Sequence, residues 1–455
     1  MRPPNAERST TRVVVHNSTV VVAGAAYMAV LGWAMIAQSY DIWGGIVAMP
    51  IAAIVAVALA RRILATRPDL VRIATIGFAA KLAGAAARYW VAFGAYGGSD
   101  AGRYHSAGRI IADDIRSGRL GPWGLFPQGE GTEFVERVTG TLYALVGASK
   151  LGGFVWFAVL GYLGVLFSIR AAVIAAPRLD LTRYTWFCMF APSLVFWPSS
   201  IGKEAWMTLS LGVLTYGIAR VLVGGRFTSS AAITALGAAM AATVRPHISA
   251  IWLAAAGLAA LWSAVRSFER HDRGRYIALA ATVLVAIATI TVGQQALDYL
   301  ASGAADDSVS EQLDAAFRRT LLQTAQGGSE FIPPSMASPV DYPFAILRTL
   351  TRPLLGEADT FTDLLPAMET TLIGVIALVG IRRLRSLRAM LRDTPLTLFH
   401  LSATVLAALG YSGFSNLGIL VRQRSLILPS LLFLLCLPKP ETVSTAPIAK
   451  TLVRR

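Results

Sequence analysis

The eighteen residues 152–169, GGFVWFAVLGYLGVLFSI, carry no charge and no proline. As a helix rising 1.5 Å per residue they would span about 27 Å, close to the ~30 Å of a bilayer's hydrocarbon core. Arg170, Arg178 and Arg183 follow, and a long mixed stretch, 97–151, precedes them. Working outward, eleven more apolar stretches appear, at 19–37, 43–60, 73–96, 184–197, 204–219, 229–244, 248–265, 277–294, 367–381, 396–412 and 417–437. The shorter ones extend into amphipathic flanks. The expectation is an all-α polytopic membrane protein of about twelve transmembrane helices.

The connecting segments alternate in charge. Residues 1–18, 61–72, 170–183, 220–228, 266–275, 382–393 and 438–455 together hold 25 of the 41 Lys and Arg residues. Cytoplasmic loops are enriched in these residues, so these segments are expected inside, with both termini cytoplasmic. The segments 38–42, 97–151, 198–203, 245–247, 295–366 and 413–416 then face outward. The pattern suits a bacterial-type plasma (inner) membrane.

Composition supports this class and excludes others. The chain has 455 residues, 55% of them hydrophobic and only 15% charged. A net charge of +15 invites a nucleic-acid reading. Basic loops against an anionic leaflet explain it better, because no Lys/Arg run is interleaved with stacking aromatics. Cys188 falls within a predicted span and Cys436 near a cytoplasmic edge, so neither a disulfide nor a thiol-built metal site is expected. Arg2, Arg8 and Arg12 ahead of an apolar run resemble a signal peptide. That run is too long for one and eleven spans follow, which points to an uncleaved first helix.

The organisation is one membrane domain, 19–437, between cytoplasmic tails 1–18 and 438–455. Two external loops, 97–151 and 295–366, are elaborated with amphipathic helices. In the first, Gly108, Ile111, Ala112 and Ile115 share a face over 105–119, which suits a helix lying at the membrane surface. Residues 121–131, rich in Gly, Pro and aromatics, read as an ordered interfacial loop. In the second loop, Val309, Leu313, Phe317 and Leu321 predict a helix, a break follows at 327–339, and Arg348 and Arg352 project from one face of a second helix.

Four polar clusters fall on the predicted outer face. Ser99-Asp100-Ala101-Gly102-Arg103-Tyr104-His105 ends the third span. Asp100 either caps the next helix or serves as a general base beside Arg103 and Tyr104, which return to its face at i+3 and i+4. Pro198-Ser199-Ser200-Ile201-Gly202-Lys203-Glu204 is a tight turn. Its serines can cap the following helix, whose amides and Lys203 favour phosphate unless that lysine simply snorkels. In Arg245-Pro246-His247 the arginine either pairs with an anion in a cavity or snorkels. Arg422 and Arg424 sit close to hydrocarbon, where each costs about 2–3 kcal/mol at mid-depth. They pair either with Asp341, Glu357, Asp359 or Asp363, or with a lipid phosphate. With Arg348 and Arg352, these cations come from distant parts of one membrane face, and guanidinium forks suit phosphate oxygens.

An Asp ending an early span, followed by a Tyr-containing amphipathic helix, resembles the first external loop of polyprenyl-phosphate-sugar glycosyltransferases of the GT-C fold. So does Arg422-x-Arg424 ahead of Pro429 in the last span. The resemblance covers mainly 98–220 and 411–435. It implies a catalytic base at Asp100 and a lipid-phosphate site at Arg245, Arg422 and Arg424. Two features depart from the family pattern. Two spans precede the one leading into the Asp loop, and Asp100-Ala101 replaces a paired acid, so base catalysis rests on one carboxylate. No cofactor is expected; a divalent metal is left open.

The expected function is transfer of a sugar from a polyprenyl-phosphate donor to an extracytoplasmic glycan or lipid acceptor. Asp100 acts as base, while Arg103, Tyr104, His105, Lys203, Glu204, Arg245, His247, Arg348, Arg352, Arg422 and Arg424 bind substrate or lipid phosphate. Alternatives are an O-antigen-polymerase or ligase-like enzyme using diphosphate-linked glycans, and a lipid-linked-sugar flippase. The first relies on Arg and His in the long loop, and 295–366 holds no histidine. The second predicts polar residues deep in several spans; the main ones here are Lys81 and Arg88.

Overall fold

A computed structural model describes residues 5–120, 131–269, 275–300, 318–322, 324–325, 331–334, 338–358 and 361–440. The sequence readings at 121–130, at Val309, Leu313 and Phe317, and at Asp359 fall outside them, as does the side chain of Asp363. Every regular element described is helical. The helices are α1 (Asn5–Ala37), α2 (Tyr40–Ile63), α3 (Pro68–Trp90), α4 (Ser99–Arg116), α5 (Thr132–Val146), α6 (Lys150–Ala175), α7 (Leu181–Phe190), α8 (Pro192–Phe196) and α9 (Lys203–Leu222). Then follow α10 (Phe227–Ala242), α11 (Pro246–Glu269), α12 (Arg275–Leu300), α13 (Tyr342–Thr351), α14 (Phe361–Val379), α15 (Leu387–Asp393), α16 (Pro395–Tyr411), α17 (Leu417–Arg424) and α18 (Leu428–Leu435).

Among the described residues six helices are long and apolar enough to cross a membrane, or up to eight if each of two bent pairs is one span. The protein is therefore a multi-pass, all-helical membrane protein. The remaining predicted spans fall on helices whose apolar part is shorter, or on helices that are broken. Residues 229–244 and 396–412 lie on α10 and α16, and 19–37 lies in α1. The stretch 184–197 breaks at Ala191-Pro192 into α7 and α8, because proline cannot supply the amide a continuous helix needs. The last apolar stretch is likewise divided, α17 and α18 meeting at 65°.

α6 and α9 form the centre, where backbones nearly touch. A Cβ on Gly212 would collide with the carbonyl of Gly164, and one on Gly164 with that of Thr208. Glycine permits this approach, which lets helices associate where water offers no hydrophobic drive. α2 and α3 flank α6, α10 covers α9, and α11 bridges to α12 and α16.

The loops sort to two ends. At one, Arg170 donates to Thr66 (2.9 Å), Arg178 pairs with Asp393 (3.1 Å), Arg383 with Asp180 (3.2 Å), and Ser386 donates to the Pro438 carbonyl (2.9 Å). All of these belong to the arginine-rich set of segments. At the other end Asp41 meets Lys150 (2.9 Å) and Arg103 meets Glu136 (2.9 Å), all from the opposite set.

Candidate active site

The turn after α3 begins the site. The helix closes through a wider π turn, Val91–Ala95, and Gly97, Gly98 and Ser99 then take φ of 63°, 110° and 47°. Two glycines enter this left-handed region without a Cβ penalty. The reversal starts α4 at Ser99 and presents Asp100 in its first turn. Asp100 makes no capping bond; Gly98 holds the cap position. The Asp100 carboxylate is 62% exposed and lies 3.3 Å from Arg422 Nη1.

Beneath it sits Glu204, 2% exposed, at the start of α9. Its Oε1 accepts a hydrogen bond from Arg245 Nη2 at 2.9 Å. Arg422 Nε lies 2.6 Å from the same oxygen, an ion-pair contact whose angle is not that of a hydrogen bond. Arg422 therefore bridges a buried and an exposed carboxylate. The serines expected to cap α9 instead bond backwards, Ser199 to the Val195 carbonyl and Ser200 to that of Trp197. No side chain caps the first amides of α9. Lys203 interacts electrostatically with Arg245, Glu204, Arg422 and Asp100.

Arg88 joins the cluster from α3. Its guanidinium lies over Phe196 (5.2 Å) and Trp197 (4.9 Å) and within electrostatic reach of Arg422, Glu204 and Asp100. Lys81, two turns away on the same face, donates to the Leu194 carbonyl at 2.6 Å. Both α3 cations thus brace the segment leading into α9. The sequence singled out Arg88 as a charge within a span, yet nothing local tied it to Glu204.

Arg88, Lys203, Arg245 and Arg422 face Asp100 and Glu204: four cations against two carboxylates. Arg88 Nε and Arg245 Nη1 are buried with no hydrogen-bond partner. Unpaired donors and surplus positive charge at low dielectric are costly, and a bound anion would offset both. Tyr104, 2% exposed, lies near Thr132 and feels Asp100, Glu204 and Arg422, with burial pushing its hydroxyl up to about 12. It stays a neutral donor beside the cluster. His247, half-buried, lies beside Arg245.

Other expected site residues lie elsewhere. Arg103, 69% exposed, pairs with Glu136. His105, on another face of α4, bonds Tyr143 Oη through Nδ1 at 2.8 Å, and its Nε2 lies 3.8 Å from Asp41. Burial pushes the His105 imidazole down to about 4, so that last contact joins a neutral ring to a carboxylate at neutral pH. Arg348 and Arg352 both lie over Phe331, at 5.7 and 5.8 Å, and Arg352 pairs with Glu357 (2.6 Å). Arg424, 1% exposed, points away from Glu204. It donates to Thr370 Oγ1 (2.8 Å) and to the carbonyls of Leu350 and Arg352. Asp341 is engaged in a capping box with Ser338. Among the described residues no group of three or more His, Cys, Asp or Glu is placed to hold a metal.

Comparison with protein-family models, with curated proteins and with solved structures found no match.

Proposed function

We propose that this protein is a twelve-span plasma-membrane glycosyltransferase working at the extracytoplasmic face, with both termini in the cytoplasm. The donor is a polyprenyl-phosphate sugar and the acceptor a cell-envelope glycan or lipid. One observation carries this reading: Arg88, Lys203, Arg245 and Arg422 gather from sequence-distant elements around Glu204, directly beside the solvent-facing Asp100. In this reading the cluster is the leaving-group anion site, and Asp100 beside it is the general base. An acceptor hydroxyl gives its proton to Asp100 as its oxygen attacks the anomeric carbon. The bond from that carbon to phosphate oxygen breaks, and the polyprenyl phosphate departs with the bonding pair. Arg245 and Arg422, with Lys203, stabilise the charge that develops there. Glu204, at the start of the tightly packed α9, holds Arg245 and Arg422 in place before substrate arrives, so little reorganisation is needed in the transition state.

The test is Asp100→Asn in purified protein, with polyprenyl-phosphate sugar and acceptor supplied in nanodiscs. Turnover is expected to fall by about 10²–10⁴ while donor affinity stays within about threefold. Turnover at the parent rate would remove the base assignment.

A second reading, a lipid-linked-sugar flippase, draws on one feature. A small pocket of mixed lining, where Thr208, His400, Ser425 and Ser430 stand beside Leu211, Trp252 and Leu426, begins about one helical turn from the cluster. Thr208 donates to the Glu204 carbonyl and Ser425 to that of Arg422, both at 2.7 Å. Movement of a labelled lipid-linked sugar between leaflets without transfer to acceptor would favour it.

A further inference from the structure

α13 is tied to α17 through Arg424, which donates to the Leu350 carbonyl, and it carries an exposed apolar face. Ser338 and Asp341 form a capping box just ahead of it, and Pro343 occupies its first turn. The helix packs on α16 and α14, with Ala345 and Thr349 buried. On the opposite face Val340, Phe344 and Leu347, spaced i, i+4 and i+7, are 84%, 61% and 58% exposed. Leu354 and Leu355 extend that surface beyond Pro353. It resumes on α14, where Leu364, Leu365, Met368 and Leu372 are also exposed. α14 belongs to one of the bent pairs apolar enough to span. The exposed face is thus continuous with a surface whose natural neighbour is lipid. Arg348 sits at its flank, and among the described residues no carboxylate lies within ion-pair distance of it.

We propose that residues 338–357 form an in-plane strap docked into the leaflet on the cluster's side. Val340, Phe344 and Leu347 dip among acyl chains, and Arg348 meets lipid phosphate at headgroup level. A strap held in water would leave these large side chains solvated for no return, whereas immersion buries them and neutralises the arginine. Arg424 donates to the Leu350 and Arg352 carbonyls, so the strap is fastened to α17, the helix that carries Arg422. The inference does not depend on which reaction the site performs.

Nitroxide labels at Phe344→Cys and Leu347→Cys in the full-length protein test it, in phosphatidylcholine–phosphatidylglycerol nanodiscs. Val375→Cys on α14 is the lipid reference and Arg382→Cys the water reference; native Cys188 and Cys436 are buried. Collisions with dissolved oxygen are expected to exceed those with a water-soluble nickel chelate several-fold at positions 344 and 347, as at 375. Two results overturn the proposal. Collisions dominated by the chelate, as at 382, place the strap in water, and shielding from both reagents shows the face covered by protein, either a second copy or this chain itself.

Discussion

Glu204 is the residue on which the site turns. Two guanidinium groups share one of its oxygens in a position from which water is nearly excluded. Removing one partner of a buried ion pair leaves uncompensated charge, which costs about 3–5 kcal/mol. Glu204→Gln keeps the shape and deletes the charge, so its stability in detergent should fall by about that amount. A loss below about 1 kcal/mol, typical of exposed pairs, would mean the arginines have another counterion. His105 supports a pH prediction. Its imidazole is 3% exposed, and burial pushes it down to about 4 from an ordinary value near 6.5. The unfolded chain takes up this proton first as pH falls. The associated stability is complete above pH ~6.5 and is lost toward pH 4, by up to about 3 kcal/mol. His105→Gln should flatten that part of the stability profile; an unchanged slope would assign it to other groups.

Short elements place the groups that long spans cannot. α17 has eight residues and ends in a 65° break, and its two arginines diverge: Arg422 reaches Glu204 and Asp100, while Arg424 ties down the strap and Thr370. The resemblance joined the two arginines as one lipid-phosphate motif, yet at i and i+2 on one helix they stand about 200° apart around its axis. Their substitutions should therefore separate. Arg422→Ala is expected to weaken donor binding by about ten- to a hundredfold, the scale of one or two charge-assisted contacts. Arg424→Ala should leave donor affinity within about threefold and lower the melting temperature by several degrees, since it strands two carbonyls and a hydroxyl. Equal effects on affinity would mean both face the ligand. Long uncharged runs such as 152–169 were legible as helices, because crossing a bilayer leaves no other backbone solution. Pro192 was readable as a break only once α7 proved ten residues long, half the depth of a membrane.

Across the whole molecule, sidedness and a gathering of distant cations near Asp100 were legible, and the individual pairings were not. Arginine counts per loop sorted the segments, and the structure brings members of the same set together, as with Arg178 and Asp393 or Arg383 and Asp180. Glu204 and Arg422 are separated by more than two hundred residues, and no local pattern announces such a contact. Arg88 was likewise visible only as an isolated charge. The arrangement fixes which loops share an end without fixing which end meets the cytoplasm, and the positive-inside argument supplies that direction. It yields a prediction that needs no knowledge of the reaction. Cys188 and Cys436 are buried, so the parent protein offers an unreactive background to a membrane-impermeant maleimide. A cysteine replacing the exposed Arg109, on the side of Asp100, should label in intact cells. One replacing Arg61 or Arg382 should label only after permeabilisation. The reverse pattern would place the cation-rich cluster against the cytoplasm, where soluble nucleotide-linked donors are available, and the lipid-linked donor would lose its rationale.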